Sequence, residues 1–81
     1  MKKILYFSAG WCGPCKTLGP IMESLSGQIN YEKIDVDQNQ DSSIKYGVRN
    51  IPTLILLKDG ESVNRMTGLQ PKQQILNFYN G

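Results

Sequence analysis

The chain has 81 residues with a formal net charge of +2, is 40% hydrophobic and 9% aromatic, and holds two cysteines and no histidine. That length fits one domain, residues 1–81, with a small core that takes only somewhat over half of the unfolded surface out of water. The charges are interspersed with no Lys/Arg block, which argues against nucleic-acid or membrane-surface binding, and no apolar run nears the roughly 20 residues that span a bilayer.

The opening "MKKILYFSAG" combines two lysines with a short apolar run, as a signal peptide would. The run is brief and leads straight into the first Cys, so cleavage there would remove the first structural element. The chain is therefore expected in the cytoplasm, a reducing compartment in which a Cys pair is more often catalytic or metal-binding than structural. "KILYF" is continuous in apolar residues, which predicts a strand covered on both faces and central in its sheet. Beyond the cysteines, Leu18, Ile21, Met22 and Leu25 recur at helical spacing, with Pro14 in the first turn and Gly27 as the stop. Pro20 lies deeper and removes one backbone bond, so the helix is expected to bend there.

"YEKIDV" alternates Ile34 and Val36 with Lys33 and Asp35, the period-two signature of a strand, and on periodicity alone Lys33 faces solvent. Strand, helix and strand in succession imply a parallel pair with a right-handed crossover. Asp41 is the expected N-cap of a short helix ended by Gly47. "TLILL" is again continuously apolar, and "KDGE" carries the Asp-Gly signal of a tight hairpin into "SVNRMT". Pro71 opens a last helix whose Ile75, Leu76 and Tyr79 cover a sheet face, although Gln70 is a poor cap. The order βαβαββα describes an α/β fold, a four-stranded mixed sheet flanked by helices.

"WCGPCK" holds both cysteines, Cys12 and Cys15. A closed structural zinc site needs four ligands, and two Cys without His exclude one within a single chain, leaving only a site shared between copies. An inert disulfide across a two-residue spacer would constrain little of the unfolded chain. The placement suits catalysis better. Cys12 falls just before a helix, where unpaired N–H groups and the positive end of the dipole favour a thiolate. Cys15, one turn deeper on the same side, is placed to resolve a mixed disulfide formed at Cys12. Gly13 admits a partner's backbone, Pro14 stiffens the turn and Trp11 forms an apolar shelf, while Lys16 adds positive charge or is simply solvated.

"WCGPCK" followed by Pro20, and "KYGVRNIPTLILLKDG" further on, resemble the thioredoxin family over nearly the whole chain; the extra strand and helix that open a full-length member are missing. The resemblance implies a thioredoxin-like fold and a protein-disulfide reductase acting by dithiol–disulfide exchange as a general electron donor. It implies no bound cofactor beyond the redox-active Cys12–Cys15 disulfide. Electrons would come from NADPH through thioredoxin reductase, and the partners would be disulfide-containing client proteins of a monomer. It also implies that Pro52 is cis beside the disulfide, that Ile51 pairs main chain to main chain with a client segment, that Gly68 lies on the rim of that groove, and that Lys33 lies behind the cysteines. Where the family commonly has a buried Asp that helps move the proton of the second Cys, this chain has Tyr6. Cys15 is then expected to lose its proton through water or to the departing client thiolate, and the Tyr6 hydroxyl to find a partner in the core. Two rivals remain at this point. One is a glutaredoxin-like protein recycled by glutathione, against which the Gly-Pro spacer and the absence of a glycine pair near "MTGLQ" argue. The other is a docking subunit that does not use its cysteines.

Overall fold

The computed structural model describes all 81 residues. The elements are β1 (Lys2–Ser8), α1 (Gly13–Ser24), β2 (Tyr31–Asp35), α2 (Gln40–Lys45), β3 (Thr53–Lys58), β4 (Glu61–Thr67) and α3 (Lys72–Asn80). They form one four-stranded sheet of order β2-β1-β3-β4, with β1 parallel to β2 and antiparallel to β3, and β3 antiparallel to β4. The expected βαβαββα order and the mixed sheet are both present. No helix is long and apolar enough to cross a membrane.

The continuous apolar run of β1 has the expected cause. It lies between two neighbours, and Ile4 to Ser8 are all buried. Alternate residues feed two clusters. Ile4 and Tyr6 join Leu54 and Leu56 of β3, Leu18 and Met22 of α1 and Ile75 of α3 on one face. Leu5 and Phe7 join Ile34 and Ile55 on the other, which Tyr46 and Val48 cover. Each such side chain, fully buried, contributes about 1.5–3 kcal/mol of transfer free energy.

Three helix boundaries differ from the sequence reading. α1 ends at Ser24 with Leu25 as its C-cap, short of Gly27. The chain tightens there to bonds from Leu25 N–H to the Met22 carbonyl and Ser26 N–H to the Glu23 carbonyl, which places both Leu25 and Ile29 in the core. Asp41 is not the N-cap of α2; that position is Asn39. The Asn39 amide is drawn back to donate to the Asp35 carbonyl at 3.0 Å, so it makes no capping bond. Asp41 instead adds negative charge to the first turn, where it complements the helix dipole. Pro71 is the N-cap of α3, its φ of −67° already near helical, rather than its first residue. Ile75 is buried, with Leu76 and Tyr79 packed at the cluster's edge as expected. Pro20 is accommodated inside α1.

The Asp-Gly turn between β3 and β4 has positive φ at both central residues, 53° at Asp59 and 87° at Gly60, the backbone twist that tight hairpins favour. A Cβ at Gly60 would meet no atom within 4 Å, so only backbone strain opposes a side chain. Gly60→Ala is expected to destabilise the protein by about 1 kcal/mol, read as a lower urea midpoint with an unchanged slope.

Candidate active site

The parallel strands β1 and β2 end together at the paired residues Ser8 and Asp35, and the segment from β1 crosses that edge to enter α1. Cys12 is the N-cap of α1. Its backbone is extended (φ −87°, ψ 112°), its N–H donates to the Ala9 carbonyl at 3.2 Å, and its carbonyl accepts from Lys16 N–H at 3.3 Å. Its sulfur takes the place that a Ser or Asp oxygen has in an ordinary cap, accepting the Cys15 N–H at 3.2 Å. Cys12 and Cys15 are joined by a disulfide, and each is only 4% exposed. They pack with Ala9, Val36 and Ile51 in a third small cluster. A thiolate in the place of this neutral sulfur would turn the contact into a charge-assisted one of roughly twice the strength.

The second wall is the loop before β3. The Ile51–Pro52 peptide is cis, as expected. Pro52 is buried, and its carbonyl accepts the Gly68 N–H at 2.8 Å, tying the loop after β4 to this wall. Gly68 has a φ of 90°, which a side chain would strain. Ile51 packs against the cysteine cluster, while its own N–H and carbonyl have no partner within the chain. Two backbone groups left open beside a disulfide are what an extended segment needs in order to pair.

Trp11 is 70% exposed, yet it is not free: its indole N–H donates to Asp37 Oδ2 at 2.9 Å. Asp37 N–H in turn donates to Asp35 Oδ1 at 2.9 Å. Gly13, Pro14 and Lys16 are exposed around the cysteines. Behind them lies an open cavity of about 300 Å³ whose walls include Cys15, Ser8, Lys16, Lys33 and Asp35. Lys33 is therefore solvent-exposed, as periodicity implied, and also on a wall shared with Cys15, as the resemblance implied. Tyr6 lies beneath α1, 1% exposed, and donates to the Cys15 carbonyl at 3.1 Å. Burial pushes its phenol above the ordinary value, offset in part by the Ser8 hydroxyl.

The family model named Thioredoxin matches residues 1–80. A thioredoxin of Staphylococcus epidermidis is 46% identical over 77 residues, covering 90% of this chain and 74% of its own. One of Bacillus subtilis is 46% identical over 78 residues, covering 91% and 75%. The chain belongs to the thioredoxin family. The fold agrees: the structure of a mutant thioredoxin from Halobacterium salinarum superposes with a TM-score of 0.93 at 42% identity, over 98% of this chain and 72% of that one. As a thioredoxin-family member carrying the Cys12–Cys15 disulfide, the chain is a thiol–disulfide oxidoreductase.

The sequence reading did not single out Asp37, and it treated Asp35 only as the polar phase of a strand. The available signal was position: Asp35 ends a parallel strand and Asp37 follows it, at the C-terminal edge where α/β sheets gather their sites. Asp37→Ala is expected to free the only tryptophan. A lower steady-state fluorescence anisotropy of Trp11, with folding stability changed by less than about 1 kcal/mol, is the expected measurement, since the lost bond is exposed.

Proposed function

We propose that the chain, acting as one domain and a monomer in the cytoplasm, is a general electron donor that reduces disulfides of client proteins. Cys12 is the attacking sulfur and Cys15 the resolving one. The client's extended segment lies along Ile51, Pro52 and Gly68, with Trp11, Gly13 and Pro14 forming the facing rim. Thioredoxin reductase returns the protein to the dithiol with electrons from NADPH. Nucleic acid has no part in the reaction, and Lys16 is a solvated neighbour of the site.

The observation that carries this reading is the Cys15 N–H aimed at Cys12 Sγ at 3.2 Å, at the first turn of a helix. That N–H and the dipole end both stabilise negative charge on Cys12, the form that attacks disulfides. In the first step the Cys12 thiolate bonds to one client sulfur, and the other leaves with the electron pair. In the second, Cys15 bonds to Cys12 and expels the first client sulfur. The client disulfide gains two electrons and the protein dithiol loses two.

The test supplies a disulfide-bonded protein with either thioredoxin reductase and NADPH or glutathione and its reductase. Turnover in the first system alone is expected. Turnover with glutathione alone would assign the chain to glutathione recycling, and turnover in neither would leave the docking reading.

A further inference from the structure

We infer that Asp35 takes the proton of Cys15, through water, as Cys15 becomes the resolving nucleophile; this rests on the division of labour between the cysteines proposed above. The second step needs a thiolate at Cys15, and the residue is 4% exposed. Tyr6, the residue beneath it, is a poor base. Burial holds its phenol protonated through neutral pH, and its O–H is already committed to the Cys15 carbonyl.

The cavity offers another route. Tyr6 pairs with Lys33 and Ser8 with Asp35 across the parallel ladder. With a side-chain period of two, all four therefore face α1. At about 300 Å³ the open cavity has room for several waters, and the side chains of Ser8, Lys16, Lys33 and Asp35 on its walls can bond them. Asp35 is the only carboxylate on those walls, which it shares with Cys15. Its Oδ1 is fixed by the Asp37 N–H at 2.9 Å, and no group of the chain engages Oδ2, which is left for water.

The neighbouring charges keep one negative charge in the cavity throughout the step. From β2, Lys33 lines the cavity and Tyr31 lies further back on the same face; from α1 comes Lys16. Both ammonium groups favour an anion in the cavity, whether the Asp35 carboxylate before the transfer or the Cys15 thiolate after it. α1 has no acidic residue in its first turn, the Pro52–Thr53 wall has no titratable side chain, and the Asp37 carboxylate is held on the outer side by Trp11. The Cys15 S–H proton passes through water to Asp35 Oδ2, and Cys15 Sγ attacks the Cys12 sulfur of the mixed disulfide. The Cys12–client bond breaks with its electron pair going to the client sulfur, which then collects the proton from Asp35 by the same water or from solvent.

The test mixes the reduced full chain rapidly with a symmetric aromatic disulfide whose two thiolates absorb visible light. The first thiolate reports attack by Cys12 and the second reports resolution by Cys15. Asp35→Asn keeps an acceptor for the Asp37 N–H. In this variant the second phase is expected to slow about a hundredfold or more at pH 7, with the first changed less than about twofold. Added imidazole is expected to restore the second phase in the variant and leave wild type unaffected, and Asp35→Glu is expected to recover part of the loss. A second phase unchanged in Asp35→Asn, or slowed but insensitive to imidazole, overturns the role of Asp35. The underlying reading fails separately, if Cys15→Ala still releases both thiolates or if its adduct lies elsewhere than on Cys12.

Discussion

Cys12→Ser is expected to lower disulfide reduction by at least about a thousandfold, because a hydroxyl at the same cap is neither ionised at neutral pH nor able to exchange with a disulfide. Cys15→Ala is expected to lose multiple turnover to a similar extent by a different route. Its Cys12 still attacks, but nothing releases the client, so a covalent complex accumulates. Mass spectrometry of the trapped species checks both statements, with the adduct expected on the peptide containing Cys12. The asymmetry follows from the cap. Cys12 accepts the helix's N–H, whereas Cys15 lies one turn deeper beneath the other sulfur, with the cavity behind it. An adduct on Cys15 in a Cys12→Ser variant, formed as fast as the wild-type adduct, would reverse the roles. Rapid alkylation of reduced Cys12 at neutral pH, faster than that of free cysteine, is the corresponding check on its ionisation.

The second large effect concerns stability. Phe7 is fully buried in the central strand, with its ring 6.0 Å from that of Tyr46 on the more thinly covered face of the sheet. Phe7→Ala removes the largest buried side chain of that cluster and is expected to cost about 3–5 kcal/mol. A domain of this size has a total of the order of 4–12 kcal/mol, so the variant is left near the edge of folding. A melting temperature lower by roughly 15–30 °C is expected in thermal unfolding followed by circular dichroism. A drop of only a few degrees would mean that this face repacks around the gap, and that Tyr46 and Val48 hold it more loosely than the structure indicates.

Strong local signals carried most of the architecture. The unbroken apolar runs of β1 and β3, the helical spacing of Leu18, Met22 and Leu25, and the Asp-Gly hairpin each had one physical reading, and each element lies where it was expected. The misplacements are at ends, where local preference competes with packing. Gly27 yielded to the need to bury Leu25 and Ile29, and Asp41 yielded the cap position because Asn39 was already bonded across the loop. The bulge in β4, where Asn64 faces Leu56 and Ser62 faces Leu57 with Val63 between them, left no mark in the sequence at all.

The site divided in the same way. Cys12 at a helix start was legible because the dipole argument needs only neighbours along the chain. The cis bond before Pro52 and the open backbone of Ile51 entered through family resemblance, since nothing in "RNIPT" alone distinguishes them from an ordinary strand start. Asp35 looked like the polar phase of a strand, and Asp37 drew no notice. Their significance depends on the register that sets Ser8 opposite Asp35 and on the indole of a residue more than twenty positions earlier. Neither relation can be seen before the two strands are side by side.

The first helix has a dual occupation. Leu18 and Met22 anchor it in the larger cluster, while its opening turn aims the Cys15 N–H at the Cys12 sulfur. Mutational drift in the hydrophobic interior is therefore not silent chemically: a substitution that tilts this rod by a fraction of an ångström also re-aims the dipoles under the sulfur. Thermal robustness and redox potential should consequently covary among descendants of this sequence.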